Sequence, residues 1–284
     1  MNLRPSNLPK AFIKTYWNLP PWLLVPILEF RCKRKFVRPT KVKKASGLIK
    51  LTQAKRELPN SSAQYRHIYF YHSQRISRYF IGIEERLNKL LTEYMVDQIP
   101  SFDPSLVVDV GSNIGEFSMG VGARFPNCKT IRFEPSITEA MASLYNLENQ
   151  DSILIAKALW SEETILEFFM ANENGDSSLF QPKENLASTR LEVSTLDKQL
   201  SFFEFDTIDL LKIEAEGAEP EVLLGATNSL LKTRYVVADL GPERGLAQTE
   251  TFEEANRILA EKGFELIASK ALERHCYLYE NRNL

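Results

Sequence analysis

The 284-residue sequence predicts an α/β fold: a mostly parallel, doubly wound sheet of about seven strands with helices on both faces, preceded by a basic N-terminal helical region. Three observations predict it. Short β-rich runs alternate with helical patterns from residue 99 onward, a glycine-bearing turn joins the first of these strands to its helix, and the charge divides sharply along the chain.

The alternation runs LVVDVG, IGEFSMGVGARF, KTIRFEP, ITEAMASLYNLEN, SILIAKAL, which is the order of βαβ units. TILEFFMA and LEVSTL form a β excursion, with a turn from Gly175 to Ser178 between them. DTIDLLKIEAEG and RYVVADLG read as two further buried strands, separated by the helical EPEVLLGATNSLLK. A helix from about Glu250 to Lys262 stops at Gly263, and FELIASK and HCYLYE supply the last strand pair. Upstream, Ile83, Leu87, Leu90, Leu91 and Tyr94 share one face of a helix within Tyr79 to Val96. Pro100 and Pro104 end that pattern, giving a basic accessory region over 1–98 and a main domain over 99–284.

The formal net charge of −2 hides two opposite halves. Residues 1–95 hold 19 Lys and Arg against 5 Asp and Glu; the rest holds 16 against 32. The basic part is therefore available to an anionic partner. Within residues 11–50, Trp17, Trp22, Leu23, Leu24, Ile27 and Phe30 precede the cations from Arg31 to Lys44. That pairing suits peripheral contact with an anionic membrane surface; the alternative is a patch packed on the main domain beneath solvated charges. LPPWLLVPIL, with its three prolines, falls well short of the ~20 apolar residues that span a bilayer, and no cleavable leader is expected because the basic cluster comes after the apolar run. Cys32, Cys128 and Cys276 form no CxxC pair, which fits a reducing, cytoplasmic setting; His67, His72 and His275 form no HExxH arrangement.

Candidate ligand residues cluster at strand ends. Asp109, Gly111 and Gly115 make DxGxxxG at a strand-to-helix junction, with Ser112 and Asn113 inside the turn. Glycine there lets the backbone bend sharply and approach a ligand. A dinucleotide site would show GxGxxG, but Asn113 takes the second glycine's place. Glu134, followed by Pro135 and 19 residues after Gly115, ends the second strand, where a carboxylate can accept hydrogen bonds from both hydroxyls of a ribose; the alternative is a surface carboxylate capping the next helix. Ala158 and Leu159 come after the third strand, where small or apolar residues line an adenine pocket.

VVDVGSNIGEFS, IRFEPS, STLD and especially LLKIEAEGAEPEVLLGA, in this order, resemble the FkbM family of S-adenosylmethionine-dependent methyltransferases. The likeness runs from about Leu106 to Asp239, leaving residues 1–95 outside it. Glu214 stands where the family pattern has Asp, and Ala215 where it has a branched residue. The resemblance implies a Rossmann-like class I methyltransferase using S-adenosylmethionine, acting on a hydroxyl of a sugar, glycan, glycolipid or polyketide-type product.

Such a transfer needs the acceptor oxygen about 3 Å from the methyl carbon and a route for its proton. The candidate catalytic residues are Glu214 and Glu216 after one strand and Asp239 at the end of the next, with Glu214 as the expected acid/base. Glu219 suits function and helix capping equally, and Lys212 is expected to pair with a carboxylate. Glu214 and Asp239 could hold a hard divalent cation through oxygen, although no metal is expected. Two alternatives stay open: an RNA methyltransferase using the basic region, against which no D/N-PP-Y/F signature is present, and a non-catalytic binding protein of the same fold. A carbohydrate or lipid-linked acceptor, and no specific nucleic acid, is the expected partner.

Overall fold

A computed structural model describes residues 40–45, 47–53, 67–170, 177–182, 186–271 and 274–284. Most of the tract 11–50, its aromatic patch included, lies outside the described residues, as does Gly175. The chain divides into two compact units between Arg86 and Leu87. Among the described residues no helix is long and apolar enough to cross a membrane.

The described part of the first unit is β-rich where a helical region was expected. β1 (Thr40–Ala45), β2 (Leu48–Gln53) and β3 (His67–Phe70) form an antiparallel sheet. The reason is a short period-2 pattern: Ile49, Leu51 and Gln53 of β2 point inward while the residues between them are only half-buried. Gln53 ties the sheet to the segment leading into the next helix, donating to the Tyr79 carbonyl at 2.8 Å and accepting from the Ile83 amide at 2.7 Å.

The amphipathic stretch forms α1 (Ile83–Glu93), and its expected face is buried at Ile83, Leu87, Leu90 and Leu91, with Tyr94 just beyond. Residues 87–98, which the sequence places with the basic region, thus belong to the second unit. There Leu90, Leu91, Tyr94 and Val96 share a core with Val107, Phe117, Leu210 and Val237.

The main sheet has seven strands in the order β12-β13-β11-β10-β4-β5-β6. These are β4 (Leu106–Val110), β5 (Lys129–Phe133), β6 (Ser152–Ile155), β10 (Ile208–Ile213), β11 (Thr233–Asp239), β12 (Phe264–Ala271) and β13 (His275–Asn281). The five strands from β11 to β6 are parallel, and β13 and β12 add an antiparallel edge. Side-chain alternation supplies two cores. Val108, Val110, Leu211, Ile213 and Val236 face one, and Val107, Leu210 and Val237 face the other.

Helices cover both layers: α2 (Glu116–Arg124) after β4, α3 (Ile137–Asn146) after β5, and α4 (Leu196–Leu200) before β10. The predicted single helix after β10 is two, α5 (Glu219–Leu224) and α6 (Thr227–Leu230), broken at Gly225; α7 (Phe252–Glu261) precedes β12. The β excursion is a separate small sheet of β7 (Ala158–Leu159), β8 (Thr164–Met170) and β9 (Ala187–Ser194), ordered β7-β9-β8. SILIAKAL is therefore split, its last two residues leaving the main sheet. Strand order reverses between β4 and β10, so the crevice beyond their carboxyl ends is where this architecture places a ligand.

Candidate active site

The turn after β4 is held from below by neighbouring strands. The Gly111 and Ser112 amides both donate to the Phe133 carbonyl, at 3.0 and 2.9 Å. Gly111 has φ +69, and a Cβ placed there would lie 1.7 Å from the Glu214 carbonyl oxygen. Glycine is thus demanded by two strand ends crossing closely as well as by the bend. Asn113 also takes a left-handed conformation, with φ 51.

Glu134 closes the opposite side of this turn. Its Oε2 accepts from the Asn113 amide at 2.7 Å and its Oε1 from the Ser136 amide at 2.8 Å. Burial pushes its carboxyl up to about 7, aided by the charge of Glu139 and opposed by those two amides. A carboxylate oxygen has two acceptor sites, so each still has one for a diol. The Ser112 hydroxyl in the same turn is buried without a hydrogen-bond partner, which leaves the turn with unused polar capacity. These donors and acceptors fit the nucleoside of S-adenosylmethionine. Pro135 is half-buried beside Glu134. Gly115 ends the turn as the residue preceding α2.

Asp109 and Ala158 are placed otherwise than a ligand contact requires. The Asp109 carboxylate is wholly buried, 3.1 Å from Lys212 Nζ and accepting from the Ser118 hydroxyl at 2.7 Å, so it shapes the turn from beneath. Ala158 is buried in β7, paired with Val193 of β9.

The second cluster lies at the ends of β10 and β11. Glu214 accepts from the Tyr94 hydroxyl at 2.5 Å, lies 3.3 Å from Lys212 Nζ, and binds the Arg274 guanidinium. Arg274 also reaches Asp239 Oδ2 at 3.0 Å, while the His275 amide donates to Asp239 Oδ1 at 3.0 Å. The cation between Glu214 and Asp239 is therefore a guanidinium, in the place a divalent metal was considered for. Burial works to raise the Glu214 pKa, but Arg274, then Lys212 and the Tyr94 hydrogen bond, hold it well below the usual carboxylate range. Such a group stays ionised and makes a weak base, unlike the acid/base role expected of it. Asp239 is raised, by burial and then by the charge of Glu214.

Glu219 proves structural. It is buried, with Oε1 accepting from the amides of Ala215 and Gly217 at 2.8 and 3.1 Å and Oε2 from the Thr251 hydroxyl at 2.9 Å. Glu216 is half-buried with φ 50, and its carbonyl accepts from the Ser178 hydroxyl at 2.9 Å.

Four residues at this cluster were not singled out for function. Tyr94 read only as part of a helix face, and Ser178 as the end of a turn. Arg274 and Glu243 carry no motif and arrive from loops. Glu243, in the loop after β11, is pushed up to about 8 by crowding of the surrounding protein, then by the charges of Asp239, Glu214 and Glu219, with Arg274 opposing. Its side chain is exposed to solvent.

The family described as Methyltransferase FkbM domain matches residues 109–266. The 2-O-methyltransferase NoeI of Sinorhizobium fredii (strain NBRC 101917 / NGR234) is 24% identical over 183 residues, covering 58% of this chain and 75% of its own. Methyltransferase sdnD of Sordaria araneosa is 25% identical over 237 residues, covering 70% of this chain and 90% of its own. The crystal structure of Methyltransferase FkbM from Methylobacillus flagellatus KT aligns over 73% of this chain with a TM-score of 0.47 and 16% identity, and this chain spans 54% of that one.

Proposed function

The chain belongs to the FkbM family of methyltransferases, and from that premise we propose that it moves a methyl group from S-adenosylmethionine to a hydroxyl of a sugar, glycan or glycolipid. The observation that carries the donor half is the contact between the Asn113 amide and Glu134 Oε2, which sets a bent, glycine-bearing turn against an acceptor pair matched to a ribose diol. The acceptor half is supported by the name of one relative, a 2-O-methyltransferase, and by the carboxylate-rich strand ends beside the turn. Peripheral attachment to an anionic membrane through residues 11–50, and a cytoplasmic location, belong to the same proposal.

The donor supplies a methyl on cationic sulfur, and its transfer to oxygen is an in-line displacement. This chain's residues hold the two partners and manage charge. Glu134 holds the diol, and the turn from Gly111 to Gly115 fixes the approach. Glu214 is kept ionised by Arg274 and Lys212, which compensate its charge. Arg274 in turn offers an N–H-rich cation near any oxygen that gains charge.

Purified protein incubated with methyl-labelled donor and separate glycan, lipid and RNA fractions tests the reading. Label is expected as an alkali-stable methyl ether in glycan or glycolipid. Label confined to RNA, or no uptake of donor in a calorimetric titration, would overturn it.

A further inference from the structure

An acceptor sugar needs a surface that holds its ring, and the carboxylates at the strand ends are committed to the protein itself: Glu214 and Asp239 to Arg274, Glu219 to Ala215, Gly217 and Thr251. Beside them three residues far apart in the sequence stack together. Trp160 lies between β7 and β8, Phe180 between β8 and β9, and Arg244 in the loop after β11. The Trp160 and Phe180 ring centres are 5.8 Å apart at a tilt of 50°, and the Arg244 guanidinium carbon lies 4.4 Å from the Phe180 ring centre. Both rings are half-buried, so each keeps part of its surface in water.

Short contacts fix this stack against the turn that Glu214 opens. The Ser178 hydroxyl accepts from the Phe180 amide at 3.0 Å and donates to the Glu216 carbonyl at 2.9 Å. Arg244 grips Glu221 through both terminal nitrogens, at 3.1 and 2.5 Å, and reaches the Gly217 carbonyl at 3.3 Å. Its backbone lies so close to Gly217 that a Cβ there, at φ +95, would sit 2.6 Å from the Arg244 Cα. Trp160 is held at its backbone: its amide donates to the Ser194 carbonyl at 2.8 Å, and its own carbonyl oxygen packs on Gly225, where a Cβ would lie 2.1 Å away. Phe180 and Arg244 are thus anchored to Glu216 and Gly217, the residues just beyond Glu214 at the carboxyl end of β10.

We infer that Trp160, Phe180 and Arg244 form the acceptor subsite, on which a neutral sugar ring lies by its C–H face; this rests on the sugar O-methylation proposed above. A sugar presents apolar C–H faces and hydroxyl edges. Here aromatic surface is bordered by N–H donors: the Trp160 indole N–H, which has no acceptor among the described residues, and the Arg244 Nε–H, which takes no part in that residue's three bonds. Glu221 takes up the Arg244 charge through both carboxylate oxygens, so the stack has no cation to spare for a phosphate, which sets it apart from a nucleic-acid surface. A lipid tail would bury the Arg244–Glu221 ion pair at a cost.

The test uses the full chain and a panel of methyl glycosides of hexoses and 6-deoxyhexoses. Saturation-transfer difference NMR with S-adenosylhomocysteine bound reads sugar contact, and KM and kcat are measured at saturating S-adenosylmethionine. The parent is expected to transfer saturation to the ring C–H protons of the glycosides it methylates. Phe180→Ala and Trp160→Ala should each raise KM about tenfold and lose that transfer, with kcat within about threefold of the parent and S-adenosylhomocysteine bound equally well. Phe180→Tyr keeps the ring and should keep the parent's KM. Should an Ala variant fail to fold, Phe180→Leu and Trp160→Leu, which keep apolar bulk and lose the ring, decide in its place. Ring-deleted variants with KM within about twofold of a parent that methylates glycosides overturn the inference and leave O-methylation standing. Saturation transfer to glycosides that are never methylated, lost in the same variants, supports the subsite and defeats the O-methylation reading. A parent that binds S-adenosylhomocysteine yet neither contacts nor methylates any glycoside, or that labels RNA alone, sinks both.

Discussion

Lys212 and Asp109 are register partners on the neighbouring parallel strands β10 and β4, their charged atoms 3.1 Å apart and shut off from water. The Lys212 ammonium also donates to the carbonyls of Val110 and Gly111, at 3.1 and 2.9 Å. One buried cation thus ties the floor of the turn after β4 to the strand that leads into Glu214.

Lys212→Met keeps the volume and deletes the charge. Asp109 is then left buried and uncompensated, and a loss of about 3–5 kcal/mol is expected in urea unfolding. Adding Asp109→Asn should restore part of it, because the orphan charge is the cause. A single substitution costing less than about 1 kcal/mol would show that the pair is dispensable.

Donor affinity should depend on pH through Glu134. Its carboxyl ionises near 7 in the free protein, and a diol with a cationic sulfur nearby favours the ionised form. Affinity therefore rises with pH as the empty site loses its proton. Between pH 6 and 8 the ionised fraction changes about tenfold, and the dissociation constant should fall by the same factor. Titration calorimetry with S-adenosylmethionine checks this, and Glu134→Gln should flatten the profile at weak affinity. A flat profile for the parent would remove Glu134 from the donor site.

The sheet and the glycine-bearing turn after its first strand were legible because their signals are local. LVVDVG with a helix after it, and a carboxylate ending KTIRFEP, place Gly111 and Glu134 at adjacent strand ends without knowledge of anything distant. Glu214 and Asp239 were found by the same reasoning, but their chemistry was not. Their partner Arg274 lies 60 positions beyond Glu214 and Tyr94 lies 120 before it, so no spacing could announce that both carboxylates share one guanidinium. The three-stranded sheet before Arg86 was missed because β2 and β3 carry only three and two inward positions among basic residues, too few to outweigh the charge pattern.

Gly111→Ala separates backbone demand from ligand demand. The added methyl meets the Glu214 carbonyl at 1.7 Å, a backbone atom that cannot rotate away, and φ +69 adds strain of about 1–3 kcal/mol. Both effects act without a ligand. The thermal midpoint should drop in the absence of donor, and turnover should fall further as Glu214 is displaced. A variant as stable as the parent, weakened in donor binding alone, would mean the glycine serves the ligand only.

Arg274 pairs with three carboxylates, Glu214, Asp239 and, at 3.8 Å, Glu93, and its removal should leave Glu214 and Asp239 as a proton-binding pair. In Arg274→Met, Glu214 would keep Lys212 and the Tyr94 hydroxyl and Asp239 the His275 amide, but the two carboxylates would lose their shared cation, and one of them should bind a proton near neutrality. The sign comes from linkage. A folded-state pKa raised above the unfolded value gives stability that is complete at low pH and lost as pH climbs through the raised value. The deficit of Arg274→Met against the parent should therefore be largest at pH 8, about 3–5 kcal/mol, and shrink toward pH 5. The parent behaves oppositely at this site, since its depressed Glu214 stabilises above the usual carboxylate pKa and loses that contribution only in stronger acid. Urea unfolding of both proteins at pH 5 and 8 distinguishes the cases. A deficit equal at the two pH values would mean that Arg274 acts by packing on Tyr94, whose ring centre lies 5.3 Å from the guanidinium carbon, and that its charge is not what holds Glu214 ionised.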